Sequence, residues 1–136
     1  MIIHCGDVGD ATVFEELRAL APVQAIRGNN DRDTWARNLP TRELLKHGSQ
    51  SIYVIHNLAE LDIDHEATGV TAVVSGHSHK PLIEKRDAVL FVNPGSAGPR
   101  RFKLPVTIGE LVLGPGRCEA KIISLETHQS ARRGCA

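Results

Sequence analysis

The chain has 136 residues, with 16 basic and 16 acidic side chains and a formal net charge of zero when its seven histidines are neutral. That length supports one domain with its own core. The balanced charge excludes a global field that would draw nucleic acid or an anionic membrane, and no apolar run approaches the roughly 20 residues of a membrane-spanning helix. One Trp, one Tyr and three Phe leave little for base stacking, so nucleic acid is ranked last among partners. Cys5, Cys118 and Cys135 form neither a disulfide framework nor a zinc knuckle. With no basic start followed by an apolar signal core, a reduced, cytoplasmic protein is the expectation.

In chain order, residues 1–4 read as the tail of a buried strand. Asp10 can cap a helix over 11–21, where Val13, Leu17 and Leu20 share a face with Phe14 alongside. Pro22 ends that helix, and 23–26 form a short strand leading into the Gly28 loop. Residues 33–38 predict one or two helical turns, stopped before Pro40. A hairpin follows over 41–46 and 51–56 with Gly48 in its turn, then a loop and short helix over 58–67. The β-branched run 70–74 predicts a buried strand. Two more hairpins follow, 82–85 with 89–92 around Arg86-Asp87, and 106–113 with 118–125 across Gly114-Pro115-Gly116. The polar tail 126–136 reads as disordered, leaving a domain over 1–125. Helix-strand alternation early and strands late imply an α/β domain with mixed sheets.

Four apolar runs end in metal-binding side chains: Ile2-Ile3-His4-Cys5-Gly6-Asp7, Arg27-Gly28-Asn29-Asn30-Asp31, Val54-Ile55-His56-Asn57 and Ser75-Gly76-His77-Ser78-His79. Ligand sites in parallel α/β sheets gather beyond the carboxyl ends of strands. Each signal alone has an ordinary account: a turn aspartate at Asp7, an Asx turn at Asn29 to Asp31, a satisfied strand-end histidine at His56. His77 and His79, at i and i+2 after a buried strand, are the strongest local signal. Asparagine, histidine and carboxylate donors suit hard or borderline divalent ions.

Taken together, Gly-Asp, Gly-Asn-x-Asp, strand-His, Gly-His-Ser-His and then Asn93-Pro94-Gly95-Ser96 resemble the calcineurin-like metallophosphoesterases, closest to their small single-domain phosphodiesterase branch. The resemblance implies a four-layer α/β/β/α sandwich with two mixed sheets and a bimetal centre hydrolysing phosphodiesters or phosphomonoesters. Carried across, Asp7 is the bridging carboxylate. Asn29, His56 and His77 join it on one metal, and His79 serves the other. Asn30 and Asp31 are the catalytic candidates; Asn30 stands where other members carry histidine, and it donates a hydrogen bond but is no general acid.

The family opens with a strand ending in Asp-x-His, and no such pair precedes Asp7; Asp62-Ile63-Asp64-His65 lies in the wrong place. The expectation is therefore a form without its first βα unit. One Mn, Ni, Fe or Zn ion would be held tightly and a second poorly by Asp7 and His79, so turnover on a small phosphoester is reduced. His4 and Cys5 are the nearest side chains that could compensate, although Cys5 reads as a small apolar packing residue. An uncovered sheet edge implies homo-oligomers. The alternative function is a non-catalytic protein-interaction module on the same fold, by resemblance to a retromer subunit.

Overall fold

The computed structural model describes residues 1–64, 68–100 and 103–125. Strand β1 (Ile2–His4) pairs in parallel with β2 (Val23–Ala25), and the helix α1 (Ala11–Leu20) crosses between them. Asp10 caps α1 through its carboxylate, which accepts from the Thr12 N–H. A short 3-10 turn, Thr34–Asn38, occupies the predicted helical stretch before Pro40.

The largest sheet has five strands in the order β3 (Arg42–His47), β4 (Gln50–Ile55), β5 (Ala72–Ser75), β7 (Val89–Asn93) and β6 (Leu82–Arg86). Antiparallel hairpins β3–β4 and β6–β7 flank the parallel pairings β4–β5 and β5–β7. All four residues of β5 are buried, as expected of a strand covered on both faces. The last hairpin, β8 (Thr107–Gly114) with β9 (Arg117–Ser124), turns through Pro115 and Gly116, whose φ of 63° suits glycine.

Period-two alternation divides the central sheet between two cores. Ile52, Val54, Ala72, Val74 and Val92 pack with Cys5, Ile26, Ile3, Leu111, Leu113 and Ala120, so both two-stranded ladders lie over one face. Tyr53, Ile55, Val73, Val89 and Phe91 form the other face, under Leu58, Leu61 and Ile63 of the following loop. The α/β class stands, but hydrogen bonding gives three sheets of two, five and two strands in place of the two expected. The β1–β2 and β8–β9 ladders share a packed core without a common ladder.

A second difference concerns α1. Its predicted apolar face has no buried residue, and Val13 and Leu20 are 37% and 78% exposed. The spacing is that of a docked helix, but no described element buries that face. Residues 126–136, read above as a disordered tail, lie outside the described residues. No helix among the described residues is long and apolar enough to cross a membrane.

Candidate metal centre

The parallel pairs β1–β2 and β4–β5 end toward one crevice. The β1–β2 ladder continues one step further through Ile26 N–H to the His4 carbonyl, and β4–β5 through Gly76 N–H to the His56 carbonyl. Each extension holds the following loop at a defined height. Beyond β1 comes Asp7, beyond β2 Asn29, beyond β4 His56 and beyond β5 His77.

Close approach between the first two loops requires glycine. A side chain at Gly28 would run into the carboxylate and amide of Asp7, and one at Gly6 would meet Gly28 and the His56 ring. Gly6 also has φ of 95°. Asp7, His77 and His79 have φ of 57°, 67° and 62°, in the left-handed region that non-glycine residues visit at a cost. Hydrogen bonds hold the first two of these residues in place.

His56 Nδ1 lies 2.7 Å from the Cys5 carbonyl. A carbonyl only accepts, so Nδ1 carries the proton, and in the neutral ring Nε2 presents a lone pair. Nε2 is 2.8 Å from Asn29 Oδ1, 3.2 Å from His77 Nδ1 and 3.4 Å from Asp7 Oδ2. Asn29 Oδ1 is in turn 3.1 Å from His77 Nδ1. The candidate ligand atoms of Asp7, His56 and His77 all lie within 4.8 Å of one another. Four oxygen and nitrogen atoms thus converge, and at least three of them are acceptors with no donor of their own to share. A divalent cation fits such a donor set.

The surrounding groups orient these atoms. Asn30 donates to Asp7 twice, from its backbone N–H to Oδ1 at 2.9 Å and from Nδ2 to Oδ2 at 3.1 Å. Asp31 is buried, and its carboxylate accepts from the backbone N–H groups of Asp7 (2.8 Å), Gly28 (2.9 Å) and Gly9 (3.1 Å). It is the clasp between the first and second loops. Asn93 does the same for the histidine loop, donating from Nδ2 to the Gly76 carbonyl at 2.9 Å and to Ser78 Oγ at 3.1 Å. Sequence reasoning treated Asn93 as a turn residue; only burial at the end of β7 marks it as more.

His79 is half-buried and stands outside the cluster. Among the described residues, Asp7, His56 and His77 form the one such group of His, Cys, Asp and Glu. Cys5 packs in the core, where burial pushes its thiol up to about 12. His4 accepts from the Gly6 N–H at 3.2 Å. Burial lowers its pKa, against the opposing pull of Asp31 and Asp7.

Residues 1–113 match the calcineurin-like phosphoesterase superfamily domain. A probable metallophosphoesterase of Methanocaldococcus jannaschii is 36% identical over 134 residues, spanning 93% of this chain and 67% of that protein. A phosphodiesterase of the same organism is 27% identical over 139 residues, spanning 92% of this chain and 82% of that one. Zinc-complexed Vps29 of Entamoeba histolytica shares the fold with a TM-score of 0.69, at 20% identity over 90% of this chain and 80% of that chain. The chain belongs to the calcineurin-like phosphoesterase superfamily.

Proposed function

We propose that this protein is a metal-dependent phosphoesterase acting on phosphodiesters or phosphomonoesters, with Asp7, Asn29, His56 and His77 holding one divalent ion. The observation that carries this is the convergence of lone pairs around His56 Nε2, whose tautomer is set by the Cys5 carbonyl. Bound there, a divalent ion supplies Lewis acidity toward a phosphoryl oxygen.

The chain's own side chains then have distinct parts. Asn30, already donating to Asp7, keeps that carboxylate turned toward the crevice and offers its amide to a phosphoryl oxygen. Asp31 has a positioning part in place of the catalytic one expected from the sequence, since both its oxygens are engaged by backbone N–H groups. His79, half-buried on the same loop as His77, is the residue of this chain that would contribute with Asp7 to a second ion. Manganese, nickel, iron and zinc all suit the donor types.

The test joins metal analysis to hydrolysis of bis(p-nitrophenyl) phosphate with added manganese. About one equivalent of tightly held metal is expected, and His56→Ala should lower it roughly 10- to 100-fold in affinity, as loss of a directly bound donor does at least as much as loss of its support. Slow hydrolysis should disappear in His77→Ala. Metal-free protein after manganese loading would contradict the assignment.

A second reading, a protein-interaction module on the same fold, is supported by the likeness to Vps29 and by the uncovered face of α1. That Vps29 is itself zinc-complexed, so bound metal fits both readings, and metal-dependent hydrolysis of bis(p-nitrophenyl) phosphate, lost in His77→Ala, is what separates them.

A further inference from the structure

A cleft of about 370 Å³ opens beside Asn29, His56 and His77, within the size range of small-ligand sites. It continues onto polar residues that the metal centre does not use, among them Arg27, Arg42, Asn57 and Glu60. The two arginines are not equivalent. Arg42 is committed: Nη1 donates to Asp62 Oδ1 at 2.6 Å, and its side chain also bonds Tyr53. Arg27 is half-buried, and its backbone N–H is fixed to the Pro40 carbonyl at 2.7 Å. Its guanidinium has no hydrogen bond or ion pair among the described residues.

A guanidinium carries a charge and five donors in a rigid fork, and at Arg27 neither is answered by a protein group among the described residues. An anion answers both needs, and a phosphate matches the fork bidentately. Only Gly28 separates Arg27 from Asn29, and all three line the one cleft, so an anion held at Arg27 is within reach of the same molecule whose scissile phosphoryl group faces the candidate metal donors. We infer that Arg27 is a specificity residue and that the cleft takes a phosphoester whose organic group bears a second phosphate. Arg42, neutralised by Asp62, shapes the cleft without competing for that group. Glu60, in the same lining, disfavours an anion placed on its side and so directs the second phosphate toward Arg27.

This inference rests on the phosphoesterase reading, and one experiment distinguishes their failures. Manganese-loaded protein is titrated calorimetrically with thymidine 5′-phosphate and with thymidine 3′,5′-bisphosphate, with metal content measured on the same samples. The bisphosphate should bind about tenfold more tightly, the scale of one charge-assisted contact. Arg27→Met should abolish most of that preference, and Arg27→Lys should retain part of it. Equal affinities for the two nucleotides with metal bound would overturn the role of Arg27 and leave the phosphoesterase reading intact. So would a preference lost in Arg42→Met but kept in Arg27→Met. Wild-type protein that binds neither metal nor nucleotide would overturn both.

Discussion

The Cys5 carbonyl and the Asp31 carboxylate decide what the other polar groups of the crevice can do. The first fixes the proton of His56 on Nδ1 and turns Nε2 toward Asn29, Asp7 and His77. The second gathers three backbone N–H groups from two loops that are otherwise held apart by their own backbones. Asp31→Ala would strand those donors in a part-buried place. It should cost about 3 kcal/mol of stability, the scale for a buried charge-assisted set, and be read from urea unfolding of the metal-free protein. Asp31→Asn, which keeps an acceptor, should recover part of the loss. The residue types at Asp7, Asn29, His56 and His77 were legible as metal donors from their places after apolar runs. The part played by Asp31 was not, because a carboxylate in a Gly-Asn-x-Asp motif reads alike whether it faces solvent chemistry or the backbone of a neighbouring loop.

Among the elements, the parallel pairs β1–β2 and β4–β5 matter most, because parallel strands bring successive carboxyl ends to one side. Hairpin boundaries were read closely from turn chemistry: Gly48, Asp87 and Gly116 all adopt positive φ at the turns placed there. The strand β5 begins at Ala72, two residues after the start of its β-branched run, since Val70 packs into the second core ahead of the ladder. Helix α1 was legible in its cap and extent but not in its surroundings. Its stability comes from local terms more than from docking, so Asp10→Ala should cost about 1 kcal/mol. Leu20→Ala, at 78% exposure, should change stability by less than about 0.5 kcal/mol. Thermal unfolding of the two variants checks the contrast, and a larger loss for Leu20→Ala would show that its face is covered in solution.

At the scale of the molecule, one central sheet carries two cores, and the two small ladders rest on a single face of it. Strand β1 pairs with β2 alone among the described residues, so its other edge joins no ladder there. Such an edge is a template for another strand. We propose self-association through it, increasing with concentration in the micromolar range. A single monomeric species in sedimentation velocity across that range would refute this. The split into three sheets was beyond sequence reading, because alternation reports which residues face a core and not which ladder their backbones join.

The order of side-chain types along the chain determined the α/β class and the hairpins, since period and turn chemistry are local properties, and through the family resemblance it marked Asp7, Asn29, His56 and His77 as candidate metal donors. Tertiary structure decided the rest. It brought Asp7, His56 and His77 within ligand distance of each other and set His79 apart from them. It turned Asp31 inward and placed Arg27 in the cleft lining with no side-chain partner among the described residues. Those outcomes depend on distances between loops far apart in the chain, and only the packing of β1–β2 against the central sheet sets them.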